Sequence, residues 1–138
     1  MIDAEKGYPA PSVNADSKPF WEAARNNRLV YKRCVSCGQP HFPPRYLCPA
    51  CWSDGLEWVE SKGQAVVYSY TIMRRAPLPV FAKRVPYVVA LVDLDEGPRM
   101  MANVVGDDAL NIKVGDRVRV CFEDRGDGFK VPQFSRIA

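Results

Sequence analysis

The sequence is poor in the groups on which most enzymes rely. Its one histidine, His41, lies between two cysteine pairs, and no Ser-His-Asp arrangement or glycine-rich phosphate-cradling motif is read in it. It also lacks a long apolar run. The longest, Val85 to Val92, has eight residues and contains Pro86, whereas a membrane-spanning helix needs roughly 20. Residues 1–10 carry Asp3, Glu5 and Lys6 and no apolar centre, so no signal peptide is read there and a cytoplasmic location is expected. The net charge of +3 is too small by itself to imply a nucleic-acid partner. Internal repeats and low-complexity segments are missing. Proline, by contrast, is plentiful at 12 in 138 residues. That favours short strands and structured loops over long helices.

The cysteines carry the strongest signal. Four of the five form two CxxC pairs, Cys34-Val-Ser-Cys37-Gly38 and Cys48-Pro-Ala-Cys51, with ten residues between them. Two residues between cysteines let a tight turn aim both sulfurs at one ion, and two such knuckles complete a tetrahedron of soft ligands. The reading is a zinc ion of structural role, held by Cys34, Cys37, Cys48 and Cys51; an iron site would use the same ligand set. A closed four-thiolate shell leaves no position for water activation. Gly38 suits the first knuckle because the residue after it often takes a positive φ. Trp52 stands in the equivalent place after the second pair, so that turn is expected to differ or to carry strain. His41 lies between the knuckles and is expected to hydrogen-bond within the ribbon. Cys121 lies in the alternating run Arg117 to Glu123 and reads as a packing residue rather than a nucleophile.

Hydropathy patterning predicts a mainly β chain in three parts. Residues 1–27 are an N-terminal arm, extended over 1–16, and a short helix over 17–26 with Pro19 in its first turn. Phe20, Trp21 and Ala24 form its apolar face, and Asn26-Asn27 supply a left-handed end. A helix this short needs a surface to dock on. Phe20 and Trp21 are therefore candidates for a partner groove or for this chain's own core. Residues 28–60 form a rubredoxin-like zinc ribbon. Residues 61–138 read as strands over 65–73, 87–94, 99–105, 117–123 and 129–134, with one helical turn at 107–112. Five strands with a helical insert between the third and fourth is the order of a five-stranded OB-fold barrel.

Charge is unevenly spread. Residues 63–92 contain Arg74, Arg75, Lys83 and Arg84 and no acid. This segment is either a solvated loop or an anion site for phosphates or an acidic partner. Tyr68, Tyr70 and Tyr87 beside it open an alternative, stacking of single-stranded nucleic acid on an OB barrel.

The order of these motifs is itself informative. Pro19-Phe-Trp21, the CxxCG and CPxC knuckles, Phe42-Pro-Pro44, Gly63 to Tyr70, Pro86-Tyr87 and Val92 to Gly97 together resemble an acyl-CoA-associated family. That family joins an N-terminal helix and a rubredoxin-like zinc ribbon to an OB-fold. The resemblance covers about residues 17–138; Trp52 departs from it where glycine is common. It implies a non-catalytic accessory subunit of a thiolase-like enzyme acting on acyl-CoA thioesters in condensation, thiolysis, acyl transfer or retro-aldol cleavage. Zinc would be the structural cofactor, and a coenzyme A thioester the ligand. Arg74, Arg75, Lys83 and Arg84 would then meet phosphates or an acidic partner, and Phe20, Trp21 and Phe81 the partner surface.

Overall fold

A computed structural model describes residues 9–126 and 128–137. The extended arm expected over residues 1–16 thus falls partly outside the described residues. One helix precedes two β units. Helix α1 spans Lys18–Arg25, one residue inside the expected helix at each end. Pro19 occupies its first turn, where a missing N–H costs nothing. Ser17 precedes it and exchanges hydrogen bonds with Asn14, Ser17 N donating to Asn14 Oδ1 at 2.9 Å. The helix ends as its sequence implies, with Asn27 at φ +59°.

The ribbon is a three-stranded antiparallel sheet in the order β2-β1-β3, from Val30–Cys34 (β1), Pro40–His41 (β2) and Leu56–Glu60 (β3). The barrel follows: Gln64–Met73 (β4), Tyr87–Leu94 (β5), Arg99–Val105 (β6), Arg117–Gly126 (β7) and Phe129–Arg136 (β8). These close in the order β4-β5-β6-β8-β7, with β6 and β8 parallel and β4 pairing back onto β7. A short 3-10 turn at Ala109–Asn111 stands between β6 and β7. The five-stranded OB topology is therefore present. Its last two strands run further than the alternation indicated: β7 continues to Gly126, in a hairpin with the start of β8, and β8 continues to Arg136.

Alternation sets the core. On β5, Val88, Ala90, Val92 and Leu94 are buried while the intervening residues are half-buried. Val67, Val118 and Phe134 close the barrel interior from the other strands. The core does not stop at the barrel. Phe20, Ala23, Leu29 and Val30 belong to the same buried cluster, so helix, ribbon and barrel share one apolar interior. Helix α1 lies against β8, where Trp21 meets Phe129 edge-on at 6.4 Å and Arg25 Nε donates to Gly128 O at 3.0 Å. Gly63 marks the tightest passage, between β3 and β4. It has φ +80°, and a Cβ there would stand 2.3 Å from Val120 Cγ1. No helix of the described residues is long and apolar enough to cross a membrane.

Candidate metal centre and adjoining groove

The two knuckles are built alike. Strand β1 delivers Cys34, and the chain turns so that Gly38 N donates to Cys34 O at 2.8 Å. In the second knuckle Trp52 N donates to Cys48 O at 2.9 Å. Backbone N–H groups then face sulfur: Cys37 N lies 3.4 Å from Cys34 Sγ, and Ala50 N 3.4 Å from Cys48 Sγ. Both turns end in the left-handed region, Gly38 at φ +77° and Trp52 at φ +68°. Of the two expectations for Trp52, different shape or strain, strain is the one realised. A side chain sits where glycine would be free of the Cβ clash, and 77% of it is exposed.

All four Sγ atoms lie within 4.8 Å of one another. Cys34 and Cys51 are separated by 3.5 Å and Cys37 and Cys48 by 3.7 Å. A tetrahedral ion with metal–sulfur bonds of about 2.3 Å requires a sulfur–sulfur edge of about 3.8 Å. The residues therefore fit a tetrathiolate metal. Proton chemistry agrees. The Cys37 N–H and its neighbours hold the Cys34 thiol down at about 6. Cys51 is pushed up to about 12 despite the Ser53 N–H beside it, because Cys34 and the other cysteine sulfurs crowd it. Four adjacent thiolates cannot all persist without a cation among them. The metal would be held by Cys34 and Cys48, which are buried, and Cys37 and Cys51, which are exposed.

His41 is outside the sulfur cluster and does not behave as expected. It is buried at 7% exposure, and neither ring nitrogen has a hydrogen-bond partner among the described residues. Burial, then the charges of Lys32 and Arg45, lower its pKa and favour the neutral ring. The β1–β2 pairing places it opposite Lys32. Cys121 is half-buried on β7, and burial followed by the Glu123 charge raises its pKa. That suits a packing thiol.

The basic segment connects β4 to β5. Arg74, Arg75 and Lys83 are exposed and make no ion pair with any described residue. Arg84 is different: its guanidinium bonds both oxygens of Glu123 at 2.7 and 3.1 Å. Glu123 also takes Arg125 Nε at 2.7 Å. The segment lacks acids in sequence, but β7 supplies one in space. Burial alone would raise the Glu123 pKa; Arg84 and Arg125 hold it below the usual carboxylate range.

The aromatic candidates separate. Phe20 is 5% exposed, with its ring 5.3 Å from Phe42 and 4.9 Å from Trp21. Of the two placements expected for it, a partner groove or this chain's own core, the second is the one it occupies here. Trp21 and Phe81 remain half-buried, and with Tyr87, whose ring is tilted 40° to that of Phe81 at 6.2 Å, they line a groove of about 750 Å³. Sequence reasoning missed this groove. Tyr68 is exposed but has the Arg99 guanidinium 3.4 Å above its ring. It bulges out between residues that pair with Val92 and Leu91, whereas Tyr87 pairs with Met73. Four to five residues of strand, about 13–17 Å, thus separate their positions along β5. They do not form one stacking platform.

Comparison with known proteins follows the same division. Residues 21–57 match the family model described as ChsH2, rubredoxin-like zinc ribbon domain, and residues 58–123 that described as ChsH2, C-terminal OB-fold domain. A solved structure described as Ltp2-ChsH2(DUF35) aldolase contains a chain 37% identical to this one. The two superpose with a TM-score of 0.82 over 92% of this chain and 98% of that one. A probable enoyl-CoA hydratase alpha subunit of Thermomonospora curvata is 42% identical over 107 residues, 78% of this chain. The present chain spans only 33% of that relative's length. The benzoylsuccinyl-CoA thiolase subunit BbsA of Geobacter metallireducens is 33% identical over 100 residues, 70% of this chain and 66% of that one.

Proposed function

This chain belongs to the ChsH2 zinc-ribbon and OB-fold family, DUF35, and from that premise we propose that it is a non-catalytic subunit of an enzyme acting on acyl-CoA thioesters. The partner we infer is thiolase-like, with the reaction one of condensation, thiolysis, acyl transfer or retro-aldol cleavage. One observation carries the reading. The four paired cysteines converge in one tetrathiolate site, and the single histidine is buried with no hydrogen-bond partner among the described residues. No described group is then left to act as nucleophile and base together. The relatives' descriptions as an aldolase chain and a thiolase subunit support the choice of partner.

When bound, zinc supplies a fixed fold rather than chemistry, holding the knuckles that small segments cannot hold by packing. The chain's own part is to stabilise the partner and help hold the thioester. Arg74, Arg75 and Lys83, which pair with no acid among the described residues, offer positive charge to the phosphates of coenzyme A, and Trp21 and Phe81 offer surface to the enzyme. Arg84 takes a supporting role, since Glu123 already neutralises it. The test is the double variant Arg74→Glu, Arg75→Glu in the purified complex. Acyl-CoA affinity is expected to fall at least tenfold at low salt, with the loss shrinking as salt rises. Unchanged affinity would remove the segment from the binding site.

A further inference from the structure

Strand β4 leaves part of one edge open. It pairs with β5 from Ala65 to Met73, but with β7 only through Gln64, Ala65 and Val66. Val67 still finds partners on the β7 side: its N–H donates to Asp116 O and its O accepts from Gly115 N, both at 2.9 Å. Residues 68–73 have no strand on that side among the described residues. Successive residues of an antiparallel strand turn their backbone groups to opposite sides. Val67 turns its groups away from β5, and the bulge at Tyr68 shifts the register by one residue. Tyr70 and Ile72 are therefore the next to turn theirs to the open side.

Sheet edges are ordinarily guarded by charge, proline or shortness. The ribbon follows that rule. Its outer strand β3 carries Glu57 and Glu60, which hold Arg33 at 2.6 Å and Arg28 at 2.8 Å, and β2 has two residues and begins with Pro40. The open stretch of β4 reads Tyr-Ser-Tyr-Thr-Ile-Met, with no charge, proline or glycine. Most of these are strand formers. Tyr68 and Tyr70 are 51% and 39% exposed, and Val114, next to Gly115, is 65% exposed. An unguarded edge of this kind is a template for one more strand.

Charge says which strand. Arg74 and Arg75 follow directly at one end of the edge. Lys113 stands at the other, in the turn that reaches Val67 through Gly115. All three are exposed and pair with no acid among the described residues. Asp116 of that turn is already engaged: it accepts Lys113 N–H at 2.9 Å, and Arg136 Nε lies 3.3 Å from it. A second copy of this chain laid antiparallel on the edge would bring Arg74 and Arg75 against Lys113, and like charges so placed repel. An acidic strand meets the opposite charge at both ends.

We propose that the open edge of β4 takes up an extended acidic segment of another protein as an added strand, bonded to the backbone of Tyr70 and Ile72 and flanked by Arg74, Arg75 and Lys113. The inference goes beyond the subunit reading and does not depend on it. That reading gives Arg74 and Arg75 to phosphates, and variants at Tyr70 leave both side chains in place, which separates the two roles. Main-chain bonds supply most of the affinity in strand addition, so a short strand-forming peptide with acidic ends serves as the probe.

The experiment is calorimetric titration of the zinc-loaded full chain with acetyl-Glu-Glu-Val-Thr-Val-Thr-Glu-Glu-amide, and with the same peptide carrying lysine in place of each glutamate. Saturable binding of the acidic peptide is expected at low salt, at least tenfold tighter than the basic one and weaker as salt rises. Amide exchange at Tyr70 and Ile72 should slow when the acidic peptide is bound. Tyr70→Pro removes the outward N–H and spares the bonds to β5, while Tyr70→Val keeps that N–H and loses the same ring. Tyr70→Pro should bind the acidic peptide about three- to tenfold more weakly than Tyr70→Val. Absence of saturable binding, equal affinity for the two peptides, exchange protection that spares Tyr70 and Ile72, or equal affinity in the two variants overturns the proposal. A chain that dimerises in sedimentation equilibrium and loses the dimer in Tyr70→Pro also overturns it, because the edge then belongs to a second copy. The comparison of the two peptides on the unaltered chain stands even where a variant fails to fold.

Discussion

Replacing Cys48 by serine removes one sulfur of the cluster while changing little else in volume. Cys48 is 1% exposed, and its sulfur lies 3.7 Å from Cys37 Sγ. If the four sulfurs hold one ion at their centre, edges of 3.5 and 3.7 Å place it about 2.1–2.3 Å from each, matching zinc–thiolate bonds of about 2.3 Å. A structural zinc contributes on the order of 10 kcal/mol to folding, and an entire domain commonly keeps only about 5–15 kcal/mol. Losing the ion therefore removes most of the margin. Because Leu29 and Val30 of the ribbon sit in the same buried cluster as Val88 and Phe134 of the barrel, the damage should spread beyond the knuckles. Cys48→Ser is expected to bind no stoichiometric zinc by mass spectrometry of metals and to lose its cooperative thermal transition. Cys121→Ser is the matched control, since that thiol lies outside the cluster. It should keep one zinc per chain and shift stability by no more than about 1 kcal/mol. A Cys48→Ser protein that melts like the unaltered chain, or a Cys121→Ser protein that loses zinc, would refute the reasoning.

Three further outcomes follow from local geometry. Gly63→Ala should cost about 2–4 kcal/mol, from its positive φ and the collision with Val120; Gly115→Ala, with positive φ and open space, should cost only about 1 kcal/mol, and equal losses in denaturant melts would deny the collision. Trp52→Gly relieves the left-handed strain of an exposed residue and should raise stability by about 0.5–1 kcal/mol; a lower melting temperature would mean that the indole packs to advantage. Glu123 has a folded pKa below its unfolded value, so its contribution is full above the ordinary glutamate pKa and disappears as pH falls through the folded value. Glu123→Gln should then cost about 1–2 kcal/mol at neutral pH, leaving two guanidiniums without their carboxylate, and flatten the acid limb of the stability profile; an acid limb identical to that of the unaltered chain would contradict this.

The ribbon and the barrel were legible because their signals are local. CxxC spacing defines a knuckle within four residues, and alternation along 87–94 or 117–122 defines a strand face. The left-handed ends at Gly38 and Asn27 were likewise readable from residue type. What escaped was whatever depends on residues far apart in the chain. The acid that answers Arg84 lies 39 positions away on β7, so a charge count along the segment overstated its free positive charge. The groove draws its walls from the turn before α1, the Phe42–Pro44 loop, the basic segment and three strands, and no stretch of sequence announces it. The hydrogen bond from Asn103 N–H to Gln133 Oε1, 3.2 Å, joins β6 to β8, whose parallel pairing has no counterpart in a hairpin pattern. The position of His41 between the knuckles suggests a hydrogen bond within the ribbon; its charged neighbours are instead the cations Lys32 and Arg45, which with burial keep the ring neutral.

The most direct test of the account is to recover the tagged, zinc-loaded chain from the organism that makes it and identify what accompanies it. The account predicts an equimolar thiolase-like enzyme whose turnover of an acyl-CoA thioester falls when this chain is stripped away. Recovery of nucleic acid in its place, or of an enzyme equally active and stable without the chain, would contradict it.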